Sequence, residues 1–186
     1  MSGTIRRRRA VGVYANAYVE VFDDEGVFPG GAAGRYLRVH PRGDGPAVVV
    51  LPVRAGRIGL VRTYRYPIGA WQWALPRGFA QDADPLATAR AELAEELGAS
   101  ASTLRRLGAV TPDSGLLTSR AVVVFAEVER VGPRTDTAEV AAVRWETPAR
   151  VSEEVRAGVL EDGFTLAALM LAYAAGVLRV RRGRRR

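Results

Sequence analysis

The sequence predicts an α+β fold in which a sheet is sandwiched between helices. Three observations carry that expectation. Apolar, β-branched runs dominate the first two thirds of the chain; one well-punctuated helical segment interrupts them at residues 85–97; two helical stretches close it. At 186 residues the chain fits one domain with short appendages, and its 48% hydrophobic content allows a sizeable core. The boundaries expected are a basic arm over residues 1–11, a folded domain over 12–176 and a basic tail over 177–186.

The strands follow from alternation and turn signals. YANAYVEVFDDEGVF reads as a strand closed by a turn, and GRYLRVH as a second short strand. AVVVLPV and IGLVRTYRY are β-branched runs parted by Arg54-Ala55-Gly56-Arg57, which predicts a hairpin. WQWALP is a further short strand, with Trp71 and Trp73 on one face, where packing in the core or a dimer contact is a simpler role than base stacking. LGAVTPD, SRAVVVFAEVERV and VAAVRWET read as later strands, with VGPRTDTAE a loop. VSEEVRAGVL predicts an amphipathic helix, and FTLAALMLAYAAGVL a largely apolar one.

The central helix is bounded by residue chemistry. Asp84 suits an N-cap, Pro85 the first helical position and Gly98 the C-terminal cap. Leu86, Ala89, Leu93 and Leu97 supply its apolar stripe. Glu92, Glu95 and Glu96 stand at i, i+3 and i+4 and so project from one face. Such like-charge pairs cost a helix about 0.2–0.5 kcal/mol each, and the macrodipole disfavours acids near a C-terminus. A solvated acidic face is one reading of this cluster. A divalent-cation site is the other, because hard cations take carboxylate oxygens. The preceding turn, Pro76-Arg77-Gly78-Phe79, favours the second: a glycine loop beside acids suits a metal–phosphate site.

Charge narrows the partners. The net +7 belongs to the ends: Arg6–Arg9 give four positive charges, and Arg179, Arg181, Arg182, Arg184, Arg185 and Arg186 give six. Removing those ten from 27 basic residues leaves 17 against 20 acidic ones. Solvated, disordered tails are the expected reading, with weak nucleic-acid contact as the alternative. With no cysteine, disulfides and thiolate metal sites are excluded. No secretory or membrane-spanning segment is read at the N-terminus, and a cytoplasmic location with no membrane partner is expected. His40, the lone histidine, is expected in a turn with a structural or solvated role.

These residues resemble the signature of the Nudix hydrolases: Gly78 matches its leading glycine, and Glu92-Leu93-Ala94-Glu95-Glu96-Leu97-Gly98-Ala99 matches its ending. YRYPIGAWQWALPRGF, Pro112 and the C-terminal VSEEVRAGVLEDGFTLAALMLA are similar to the ADP-ribose pyrophosphatase and nucleotide-sugar hydrolase subgroup. The resemblance implies a Nudix-type α/β/α sandwich with a mixed sheet. It implies Mg²⁺ or Mn²⁺ held by Glu92, Glu95 and Glu96, and a nucleotide substrate cut at its pyrophosphate, ADP-ribose or an ADP-sugar first. It also implies a homodimer, and a base from a later loop, where Glu139 and Asp136 are candidates and solvated loop acids are the bland alternative. Arg65 and Arg77, with Gly78, are candidates for substrate binding by charge-assisted forks, against a reading of both arginines as surface ion pairs.

Two departures from the signature matter. Ala91 stands where the family has an arginine that helps orient the glutamates, and Arg90 is turned from that position by about 100°. The interval from Gly78 to Glu92 is one residue short, and the signature's first glutamate is replaced in the neighbourhood of Ala83 and Asp84. A non-catalytic nucleotide sensor is therefore the first alternative function, and an RNA 5′-end pyrophosphohydrolase, suggested by the basic ends, the second.

Overall fold

The computed structural model describes residues 3–43, 45–79, 83–135 and 138–179. The chain forms two compact units, Met1–Asp44 with Thr111–Arg120, and Gly45–Val110 with Ala121–Arg186.

The first unit is an antiparallel sheet of β1 (Arg6–Arg9), β2 (Gly12–Ala15), β3 (Val19–Val27) and β4 (Ala33–Pro41). β1 corrects the expectation of a disordered N-terminal arm. Arg6 pairs with Val27 and Arg9 with Glu25 along β3, so the arginine run is ladder, not tail. Side-chain charge explains how four arginines enter a sheet: Arg9 meets Glu25 at 2.5 Å and Arg7 meets Asp24 at 3.7 Å. His40 lies in β4 instead of a turn, with Nδ1 2.7 Å from the Thr118 hydroxyl.

Asp24 is the buried acid of this unit among the described residues, at 5% exposure. Its Oδ2 accepts from Arg38 Nε at 2.6 Å and its Oδ1 from the Val11 N–H at 3.2 Å. The Arg38 hydrogen bond is the main reason its pKa is lowered, against desolvation. A depressed carboxylate contributes stability that is present above its unfolded pKa and lost as pH falls through the folded value. Asp24→Asn is therefore expected to cost about 1–3 kcal/mol near neutral pH, by removing the buried charge to which the half-buried Arg38 and the Val11 N–H are bonded. The gap between variant and wild type should close below the ordinary aspartate value of about 3.9. Urea melts at pH 7 and pH 3 read this; an equal gap at both would contradict it.

The second unit contains a seven-stranded mixed sheet. Its strands are β5 (Ala47–Arg54), β6 (Arg57–Arg65), β7 (Ala70–Ala74), β8 (Arg77–Gly78), β9 (Ala99–Val110), β10 (Ala121–Val131) and β11 (Val140–Glu146). The spatial order is β11-β6-β5-β10-β9, with β7 beside β6 and β8 beside β5. β10 runs parallel to β5, and the other pairs are antiparallel. The helices are α1 (Pro85–Leu97), α2 (Pro148–Arg156) and α3 (Gly163–Ala174). None of the helices among the described residues is long and apolar enough to cross a membrane.

Strand alternation divides the core into two layers. Val49, Leu51, Ile58, Leu60 and Val123 pack with Val151, Ala168, Leu169 and Ala172, which places α2 and α3 on that face. Val48, Val50, Val61, Val122 and Val124 pack with Ala89, Leu93 and Leu97, which places α1 on the other. The expected sandwich of helix, mixed sheet and helix is thus present. Trp73 packs against the first layer with Arg144 4.2 Å from its ring, whereas Trp71 is exposed beside Tyr64. α2 begins three residues before the expected VSEEVRAGVL segment, because Thr147 caps it and Pro148 takes the first helical position. Its Glu154, 3% exposed, is fixed by Arg144 at 3.1 and 2.5 Å.

One feature of the sheet opens the site. β5 and β6 pair only at their hairpin, Val53 with Ile58 and Arg54 with Arg57. Beyond it the two strands part: β7 pairs along β6, and the two-residue β8 pairs with β5. The segment from Ala70 to Gly78 spans that gap and leads to α1.

Candidate functional site

α1 is held as its sequence punctuation requires. The Asp84 carboxylate accepts the Leu86 N–H at 2.9 Å, and Gly98 adopts φ +61 with its N–H on Ala94 and Leu93 carbonyls. With Ala89, Leu93 and Leu97 buried against the sheet, the position of the glutamate face is fixed. Glu92 is half-buried, Glu95 exposed and Glu96 buried at 8% exposure.

Gly78 is the tightest point. It pairs with Val48, a residue of the α1-side layer, so its missing side chain faces α1. A Cβ there would overlap the Glu92 carboxylate, meeting both its oxygens and its carboxyl carbon. Only glycine leaves room for this carboxylate beside the strand. The glycine of the signature is thus needed for close approach of a side chain, and its φ is not in the left-handed region.

Arg65 lies on the same side of the sheet. Along β6 it shares strand parity with Val61, which packs toward α1. Burial holds its guanidinium below the usual arginine pKa; the Arg77 charge acts in the same direction, while Asp162, Glu96 and Glu139 oppose it. These five charged side chains therefore share one electrostatic neighbourhood. The Arg65 Nε is buried and has no hydrogen-bond partner among the described residues. Glu139 is exposed and directly precedes Val140, which pairs with Thr63 near the end of β6. Asp136, the other candidate base, and residues 80–82 of the shortened loop lie outside the described residues, as do residues 180–186 of the C-terminal tail.

Arg77 takes the opposite direction from Gly78. It pairs with Val49, which belongs to the α2–α3 layer, and its Nη1 donates to Asp162 Oδ1 at 2.6 Å. Phe164 lies under the guanidinium, 4.7 Å from it. Its charge is thus already engaged by α3. Asp162 is a residue that sequence reasoning missed; the signal was an N-cap pattern, Asp162 followed three residues later by Thr165.

The donor set suits a hard divalent ion: three carboxylates on adjoining turns of one helix, with one seated over a glycine. The side chains as they stand are not gathered into a cage, since no group of three acidic or histidine side chains among the described residues is close enough to share an ion. Glu92, Glu95 and Glu96 are the residues that would hold it.

The NUDIX domain family model matches residues 43–165, about two thirds of the chain. The chain belongs to the Nudix family. It is a Nudix-type pyrophosphohydrolase, and divalent-ion dependence is general in that family. The Nudix chain is 29% identical over 167 residues to CMP-5′-(N-acetyl-N-hydroxy-3-aminopropyl)phosphonate hydrolase of Streptomyces rubellomurinus (strain ATCC 31215), covering 89% of this chain and 79% of that protein. Among solved structures it is similar to "Crystal structure of ADP compounds hydrolase", with a TM-score of 0.82 at 18% identity over 96% of this chain and 98% of that one. That likeness shows the Nudix fold. The matched residues include Gly78, all of α1 and Glu139.

Proposed function

We propose that the protein hydrolyses the phosphoanhydride of a nucleoside diphosphate joined to a second moiety, ADP-ribose or an ADP-sugar first. The observation that carries this reading is the Glu92 carboxylate seated over Gly78, with buried Glu96 and Arg65 in the same neighbourhood. The relatives' names support the bond type. One describes a cytidine monophosphate joined to a phosphonate, and the other ADP compounds. In both, a nucleoside phosphate is linked onward.

Mg²⁺ or Mn²⁺, held by Glu92, Glu95 and Glu96, would lower the pKa of water and offset charge on the phosphates. The chain's own residues do the rest. Arg65 presents its half-buried guanidinium to phosphate oxygens, a charge-assisted contact strengthened by its partial desolvation. Gly78 lets the loop backbone approach. Glu139, exposed and beside the Arg65 charge, accepts the proton of the attacking water. Water adds to one phosphorus, the bridging P–O bond breaks, and a nucleoside monophosphate and a second phosphate ester leave. The test is the purified full chain with Mg²⁺ or Mn²⁺ against ADP-ribose, ADP-sugars, CMP conjugates and a triphosphorylated RNA, reading phosphate released after phosphatase coupling. Cleavage of the RNA alone, or binding without turnover, would overturn the proposal.

Ala91 makes this a slow enzyme in our reading. It is exposed on α1, one turn before Glu95, so an arginine there would sit at i, i+4 to that acid. Ala91→Arg is expected to raise kcat by about 10-fold, the lower end of the range for supporting residues at metal sites. A steady-state comparison with ADP-ribose checks this.

A homodimer also belongs to this proposal. The sheet of the first unit has Val27 as its only buried apolar side chain among the described residues, while Ile5, Val13, Tyr14, Tyr18, Tyr36 and Leu37 are exposed. A small sheet with open apolar faces needs covering, and a second copy would do so. Sedimentation equilibrium at micromolar concentration tests it; a monomer would contradict it.

A further inference from the structure

Asp162 and Thr165 are nearly closed to solvent, at 6% and 0% exposure, though neither contributes an acid to the glutamate face. Buried polar groups are costly unless engaged, and both are engaged with one short segment. Asp162 Oδ1 accepts from Arg77 at 2.6 Å, while Oδ2 accepts the Thr165 N–H at 2.9 Å and the Thr165 hydroxyl at 2.7 Å. The Thr165 oxygen in turn accepts the Leu75 N–H at 2.9 Å. Leu75 and Arg77 are therefore fastened to the N-terminus of α3 on either side of Pro76.

The next residue is Gly78, on which Glu92 rests. Its ties to β5 are short: β8 has two residues, paired at Val48–Gly78 and Val49–Arg77, and the Val50 N–H adds a bond to the Pro76 carbonyl at 2.9 Å. A shift of this segment would move the surface against which the Glu92 carboxylate is oriented. We infer that Asp162 is a positioning residue: through Arg77 and Thr165 it clamps the Leu75–Gly78 segment to α3, and thereby holds Glu92 in its working orientation. This rests on the proposed role of Glu92. The bland alternative is a helix cap that also forms an ion pair.

Full-length Asp162→Asn, Arg77→Met and the double variant separate these. Asparagine still caps a helix, so with its oxygen kept on Thr165, Asp162→Asn removes the negative charge and the acceptor that face Arg77. Free Mn²⁺ is followed by electron paramagnetic resonance, folding by thermal melts, and kcat and KM with ADP-ribose at saturating Mn²⁺. Each single variant is expected to weaken Mn²⁺ binding by about 10–100-fold and to lower kcat with KM unchanged. The double variant should be no weaker than the weaker single one, as expected of residues acting through each other. Lowered melting temperature with unchanged Mn²⁺ affinity would overturn the inference, as would additive losses. Should Asp162→Asn not fold, Arg77→Met leaves the α3 cap intact and decides the same question. If the wild type binds Mn²⁺ but cleaves no nucleotide, the functional reading fails while the binding comparison still tests the clamp; a wild type that binds no Mn²⁺ overturns both.

Discussion

Replacing Glu95 and Glu96 together by glutamine is expected to abolish tight Mn²⁺ binding and to lower kcat/KM by about 10²–10³-fold, the scale of losing a preorganised electrostatic group. The two acids differ in setting. Glu95 is exposed, so its neutralisation alone costs the fold nothing and relieves the repulsion from Glu92 one turn away, worth about 0.2–0.5 kcal/mol. Glu96 is buried at 8% exposure within the field of Arg65. Its neutralisation leaves the Arg65 charge with less compensation, so any fall in melting temperature should come from this member of the pair. The combination to look for is a fold kept and an ion lost. Titration calorimetry with Mn²⁺ measures the second directly. Unchanged affinity in the double variant would mean that these acids hold no ion.

Gly78→Ala is the second large effect. The added methyl would occupy the space of the Glu92 carboxylate, so that side chain or the segment leading into α1 must move. The core need not be disturbed, because Gly78 lies in a two-residue strand in the gap between β5 and β6 and the added methyl meets the Glu92 carboxylate, not core side chains. A displacement of about 1 Å at a reacting group can cost 10²-fold in rate, and a loss of that order in kcat is expected. Gly78→Ala combined with Glu92→Asp, which draws the carboxylate back by one methylene, should recover part of the loss. An alanine variant with wild-type kcat would show that the Gly78–Glu92 contact is incidental.

Much of this site was legible in the sequence because it is local. Asp84, Pro85 and Gly98 bound α1 by their own backbone chemistry, and the spacing of Leu86, Ala89, Leu93 and Leu97 fixes which face turns inward. The glutamates then follow by periodicity alone. What stayed hidden depends on contacts distant along the chain. Four consecutive arginines give no strand signal until Asp24 and Glu25 are brought alongside them. Over its first two thirds, ASASTLRR, β9 has little apolar alternation, and it is a strand because β10 pairs with it along its length. In the sequence Arg77 reads either as a phosphate contact or as a surface ion pair, and its actual partner, Asp162, stands 85 residues later. The opposed directions of Arg77 and Gly78 follow from strand alternation, but the sequence does not reveal that so short a segment pairs with β5 at all.

The central claim is that this acidic helix and glycine turn serve the cleavage of a phosphoanhydride beside a nucleoside monophosphate. Chromatography of ADP-ribose incubated with the full chain and Mg²⁺ in ¹⁸O-labelled water tests it most directly. AMP and ribose 5-phosphate are expected, with one labelled oxygen on one of the two phosphates and none on the ribose. Intact ADP-ribose under conditions where the protein binds it, or products from cleavage at a glycosidic bond, would contradict it.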